Sequence, residues 1–214
     1  MLRTGFDSLD ISSAGPLEGG LNLLLSDKPV TKIYFIARLA KAMLEKDWVI
    51  HYFDLDTFFT VYRNLNLLNI PNSENLRIYN PKSDTLDQQI SIICSTLTKK
   101  PQLIILDSIP AFYHILATRS RPSEVNWRIG LYLALLSQHI RANRGAIIAA
   151  SLPRLKKIRE DLWIPSYPGG MLTKIRSSTI YELRGKDDYT LELKVIKHEK
   201  KSVEGRSWSL PITF

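Results

Sequence analysis

Leu103-Ile104-Ile105-Leu106 is apolar at every position and runs straight into Asp107-Ser108. Successive residues of a strand point to opposite faces, so a strand with no polar residue on either face belongs inside a parallel sheet covered by helices on both sides. Leu21–Leu25 and Gly145–Ser151 also read as buried strands, and Trp48–Phe53 is a further strand that ends in Asp54-Leu55-Asp56. Between these runs the apolar residues fall at helical spacing. Ile33, Ile36, Ala37, Ala40 and Met43–Leu44 follow Pro29, and the stretch from Thr57 to Leu68 stops before Asn69 and Pro71. Ser83-Asp84 opens a helix to about Thr98, and Ser123 to Ala142 forms a long one. With a short strand at Leu76–Tyr79, this alternation predicts an α/β domain with a right-handed, doubly wound, mostly parallel sheet.

The ends of the chain differ from this middle. Met1 to Gly20 reads as irregular and turn-rich, and Leu152 to Ser178 has no clear period and is rich in Pro, Gly, Lys and Arg. Ordered domains rarely carry so long a loop without using it. Thr179–Arg184 and Tyr189–Lys197 then alternate with period two around Gly185-Lys186-Asp187-Asp188, a C-terminal antiparallel hairpin, and Ser207–Thr213 is a last strand. No repeat or low-complexity linker interrupts the 214 residues, so residues 1–214 are expected to form one domain.

Composition narrows the functional class. No apolar run approaches the roughly 20 residues of a membrane span, and Met1-Leu2-Arg3-Thr4-Gly5 lacks the apolar core of a signal peptide, so a cytoplasmic protein without membrane contact is expected. The lone Cys94 excludes an internal disulfide and reads as a core thiol. Twenty-nine basic against 21 acidic residues give a net charge of +8, concentrated between Arg141 and Lys201, which suits a polyanionic partner. The four histidines are scattered without metal-ligand spacing, and no nucleophile–base constellation can be assembled.

The strand, turn and helix at 21–33 are where a phosphate-binding loop would sit. Such a loop reads G-x-x-x-x-G-K-[ST]: its glycines let backbone amides close on phosphate oxygens, its Lys reaches the β- and γ-phosphates, and its hydroxyl holds Mg²⁺. Here the frame reads Ser26-Asp27-Lys28-Pro29-Val30-Thr31-Lys32-Ile33, and only the Lys remains. Pro29 removes a donor, Val30 and Thr31 resist the positive φ that glycine supplies, Ile33 has no oxygen for a metal, and Asp27 puts a negative charge beside any phosphate. Asp54, Asp56 and Asp107 lie at strand carboxyl ends, the edge at which open α/β sheets bind ligands. Their plainer reading is structural, with Asp56 a helix cap before Thr57.

A second constellation is basic. Arg154, Lys156, Lys157, Arg159, Lys174 and Arg176 share the Leu152–Ser178 stretch with Trp163 and Tyr167, and Arg119 and Arg121 lie in another loop after a sheet strand. Cations interleaved with aromatics suit a nucleic-acid backbone and exposed bases, against the plainer reading of a solvated surface loop.

The order of these features resembles the core ATPase domain of the RecA/RadA recombinases, and more closely an archaeal RadA paralogue. Thr4-Gly5-Phe6-Asp7-Ser8-Leu9-Asp10 is similar to the family's T-G-x-x-x-L-D opening. Asp54-Leu55-Asp56-Thr57-Phe58-Phe59 resembles its D-T-E-x-x-F, with Asp56 where the catalytic glutamate is expected. Leu103–Ser108 resembles its Walker B strand, and Tyr167-Pro168-Gly169-Gly170 its P-x-G-G. The departures are equally specific. Both loop glycines, the magnesium hydroxyl and the catalytic glutamate are changed, and Ser151-Leu152 replaces the nucleotide-sensing Asn-Gln pair. A core domain without the family's N-terminal DNA-binding domain or its Phe-x-x-Ala polymerisation segment is expected.

The resemblance implies a RecA-like fold and a degenerate Walker A motif, with Lys32, Asp56 and Asp107 a vestigial nucleotide site. The expected protein has no cofactor and no catalysis. It binds DNA, single-stranded DNA being favoured, through Arg119, Arg121 and the 154–176 residues, and assists a recombinase or another RecA-family paralogue in recombination and repair. Its oligomeric state is open. Two other readings stand beside this one: a residual ATPase built on Lys32, Asp56 and Asp107, and a RecA-fold partner that serves only as an interface.

Overall fold

The computed structural model describes residues 2–96, 100–117, 121–159, 162–166 and 177–212, with 154–159 and 162–166 as backbone only. In chain order the elements are α1 (Asp7–Ser12), β1 (Leu21–Ser26), α2 (Pro29–Leu44), β2 (Val49–Asp54), α3 (Phe58–Asn64), β3 (Leu76–Tyr79), α4 (Leu86–Ser95), β4 (Gln102–Asp107), α5 (Ile109–Ala117), α6 (Pro122–Ala142) and β5 (Ala146–Ser151). Then come β6 (Arg154–Arg159), β7 (Leu162–Ser166), β8 (Thr179–Asp187), β9 (Thr190–Lys197), a 3₁₀ turn at Lys201–Val203 and β10 (Ser207–Pro211).

Among the described residues, eight strands form one sheet in the order β10-β9-β8-β1-β5-β4-β2-β3, and β6 pairs with β7 alone. From β8 to β3 every pairing is parallel, and β9 and β10 extend the sheet antiparallel. The strands that are apolar throughout occupy the middle, as continuous hydrophobicity requires. Leu24, Ile50, Tyr52, Leu103, Ile105 and Ile148 face one core with α1 and α2, while Leu23, Phe53, Ile104, Leu106 and Ile147 face the other with α4, α5 and α6. The result is a three-layer sandwich with a hydrophobic core on each side of the sheet. No described helix is long and apolar enough to cross a membrane.

Several boundaries differ from the sequence expectation. The N-terminal twenty residues contain α1, fixed by the ends of the Thr4–Asp10 motif: Thr4 donates its amide (2.8 Å) and its hydroxyl (2.9 Å) to Asp10 Oδ1. Gly5 takes φ +77°, and a side chain there would press on the Arg38 carbonyl at 3.2 Å. The motif therefore has a complete structural explanation. Helix α3 ends at Asn64 rather than Leu68 because the chain turns at Asn66, which has φ 56°. Helix α5 is not visible as a period, since Ile109–Ala117 is short and apolar on most sides. The stretch expected as loop after Ser151 contains the β6–β7 hairpin. Its period-two pattern is masked by adjacent Lys156-Lys157 and by a register shift between Lys157 and Arg159.

Candidate functional site

The frame at 26–33 is not a loop. Helix α2 begins at Pro29, so Pro29 to Ile33 form its first turn and continue into it. Proline suits that position because its missing donor would be unpaired there anyway. The Lys32 amide donates to the Lys28 carbonyl at 3.2 Å, an intrahelical bond, and none of the eight residues has positive φ. The strain expected of Val30 and Thr31 is never incurred, because helix has replaced the conformation that would demand it. The short turn before the helix is tied to β8 instead: Asp27 donates its amide to the Leu183 carbonyl (3.1 Å) and accepts from the Gly185 amide (3.1 Å).

From the helix, Lys32 reaches across the carboxyl edge of the sheet. Its Nζ donates to Asp56 Oδ2 at 2.8 Å and pairs with Asp107 Oδ1. Lys32 and Asp107 are completely buried, and Asp56 closes the top with its side chain 16% exposed. β5 lies between β4 and β1, the strand that leads into α2, and ends in the small, buried Ser151. The Tyr52 hydroxyl donates to Asp107 Oδ2 at 2.6 Å, and its ring stacks on Phe59. Sequence reading missed Tyr52. A phenol in a fully buried parallel strand needs a polar partner, and that requirement was the available signal.

The electrostatics follow from burial. Desolvation acts to lower the Lys32 pKa, but Asp107 and then Asp56 outweigh it and hold the ammonium above its ordinary value. Burial raises the Asp107 carboxyl to about 6 against the attraction of Lys32, with the Asp56 charge adding to the rise. Burial, followed by the neighbouring Asp107, pushes the Tyr52 phenol well up, so it acts as a donor.

Asp54 has a different task. Its carboxylate accepts from the Phe59 amide (3.3 Å) and the Thr60 amide (2.7 Å), which makes it the cap of α3. The expectation gave that role to Asp56, whose bond to the Phe58 amide is longer, at 3.4 Å. Directly after Asp56, Thr57 holds φ 63°, an unfavourable conformation for a β-branched residue.

These residues do not fit a magnesium nucleoside triphosphate. Among the described residues no loop of amides surrounds a phosphate position, Ile33 is buried and apolar, and the Lys32 cation is already neutralised by two carboxylates of the protein. Oxygens of Asp54, Asp56 and Asp107 approach within 4.8 Å of one another. That grouping suits no divalent ion either, since the Lys32 ammonium pairs with two of the carboxylates and α3 amides occupy the third.

Of the expected DNA contacts, Arg121 is exposed at the start of α6, and its amide donates to Glu124 Oε2 at 3.2 Å. The strands of the second hairpin carry Arg154, Lys156, Lys157 and Arg159 on β6 and Trp163 on β7, with Lys157 opposite Trp163 and Lys156 opposite Ile164 in the backbone register. Arg119, Tyr167, Lys174 and Arg176 lie outside the described residues. The histidines at 51, 139 and 198 have structural partners: His139 Nε2 bonds Gln102 Oε1 at 2.7 Å, His51 Nδ1 meets the Tyr79 hydroxyl at 3.0 Å, and His198 Nε2 meets the Gly15 carbonyl at 3.2 Å.

No family model matches the sequence, and a search of curated proteins found no match. Among solved structures, one described as the crystal structure of the RadB recombinase is similar over 100% of this chain and 96% of its own, with a TM-score of 0.72 and 21% sequence identity. The chain has the RecA-like α/β fold of that recombinase, mostly parallel with antiparallel C-terminal strands.

Proposed function

We propose that the protein is a non-catalytic RecA-fold paralogue that binds DNA and assists a recombinase, or another protein of the same fold, in homologous recombination and repair within the cytoplasm. The observation that carries the non-catalytic part is the sealed Lys32–Asp56–Asp107 cluster: the lysine that would meet a phosphate is consumed by the protein's own acids. Likeness to a structure described as a recombinase supports the cellular setting. The net charge of +8 and the basic, aromatic-bearing segment at 154–176 support a nucleic-acid ligand. In this reading Lys and Arg of that segment neutralise phosphates and release counterions, while Trp163 or Tyr167 stacks on bases.

The test is fluorescence anisotropy of a labelled single strand at several salt concentrations, with and without ATP–Mg²⁺. Binding with a steep salt dependence and no response to nucleotide is expected. An ATP-dependent change in affinity overturns the non-catalytic reading, and absence of binding at low salt leaves a fold used only as an interface.

A further inference from the structure

Helix α6 turns Val125, Ile129, Leu133, Leu136 and Ile140 into the core. On its outer side, Trp127, Leu131 and Leu135 recur every four residues and are 67%, 39% and 42% exposed. Single exposed apolar residues are ordinary, but a contiguous stripe of three led by a tryptophan marks an interaction surface. Ala134, exposed beside the stripe, has no bulk to hold another helix away, and exposed Gln138 extends the stripe with an uncharged side chain. The stripe has an exposed acid at one end, Glu124, and an exposed base at the other, Arg141, which sits about 100° around the helix from Glu124, on the flank of the stripe.

We propose that this face is a two-fold interface with a second copy of this chain, α6 packing antiparallel against α6. A stripe with opposite charges at its two ends is complementary to itself only when reversed. With the axis passing midway between Leu131 and Leu135, Leu131 meets Leu135 of the second copy, Trp127 covers the aliphatic stem of its Gln138, and Glu124 lies beside its Arg141. A parallel arrangement would instead place like charges together. The charged ends set direction more than affinity. Such a contact is isologous and closes at two subunits, unlike a head-to-tail contact that grows into filaments. One helix pair buries less than the ~1,600 Å² of a standard interface, so the dimer is weak and concentration-dependent.

The test is sedimentation equilibrium of the full chain from about 1 to about 300 µM. A monomer–dimer equilibrium is expected, weakened at least about 30-fold by Leu131→Glu and by Trp127→Ala. Far-UV circular dichroism checks that each variant remains folded, as substitution at exposed positions permits. Arg141→Glu weakens the dimer, and adding Glu124→Lys to it restores association. A wild-type monomer over the whole range overturns the proposal, as does a dimer indifferent to Leu131→Glu, or growth beyond two subunits.

Discussion

Tyr52 and Lys32 hold the two oxygens of one carboxylate: the phenol donates to Asp107 Oδ2 at 2.6 Å while the ammonium pairs with Oδ1. Both partners are buried, so the Asp107 charge is met from two directions without water. Such a cluster contributes little net stability compared with an apolar substitute, but is costly to break from one side.

Lys32→Met should therefore leave two acids facing one another and destabilise the protein by about 3–5 kcal/mol. Adding Asp107→Asn should recover part of that loss, because the abandoned buried charge is removed. Urea unfolding of the single and double variants measures both. A double variant less stable than Lys32→Met alone would contradict this account.

The pH dependence of stability should show two opposing slopes. Asp107 is raised from 3.8 to about 6, so the folded state holds its proton more tightly. Its contribution is present below pH 3.8 and is lost as pH rises through about 6. His51 is lowered from 6.5 to about 4 by burial, then by Arg77 and His139. Its contribution is present above pH 6.5 and is lost as pH falls through about 4. The two slopes have opposite signs and offset one another in part between about pH 4 and about pH 6. The urea midpoint of the wild type should therefore change less with pH over that window than that of a variant lacking either group. Asp107→Asn should make stability rise with pH there, and His51→Gln should make it fall.

Charge reversal of Lys156 and Lys157 together should weaken single-strand binding and flatten its salt dependence. Each lost phosphate contact on a single strand removes about 0.7 from the slope of log K against log salt, so the pair should remove about 1.4. Thermal unfolding should be unchanged. Equal affinity in the double variant would take β6 out of the DNA-binding surface.

Asp54→Ala should free the Phe59 and Thr60 amides at the start of α3 and cost about 0.5–2 kcal/mol, the range for a lost helix cap. Chemical denaturation reads this directly. Thr57→Gly, by contrast, should be neutral or stabilising, since it relieves the left-handed conformation at φ 63°.

The strands most legible in the sequence are those with no choice of environment. Leu103–Leu106 and Gly145–Ser151 are apolar on both faces and lie in the middle of the sheet, and Leu76–Tyr79 matches to the residue. Local signals fail where the deciding interaction is distant. No local pattern near Asp56 indicates that Lys32, 24 positions earlier, will reach it, and only the family resemblance groups the two with Asp107; nothing near Tyr52 points to Asp107. The frame at 26–33 reads as a loop with its glycines replaced. Pro29 is the clue to the helix actually formed, because proline at a first helical position promotes what it would interrupt elsewhere. The β6–β7 hairpin is hidden because paired lysines and a register shift break the alternation on which strand reading depends.

The position of β1 at the centre of the sheet also has a kinetic meaning. Its neighbours are β5 and β8, so its hydrogen bonds go to residues 147–151 and 179–183. During synthesis, this apolar strand emerges early and has no partner until most of the chain has followed. Both closures are long-range, which makes folding slow relative to a helical protein of equal size. A nascent chain halted before Thr179 would present one side of β1 unpaired, a template for association with other chains. Strand β8 is thus what releases β1 from that hazard.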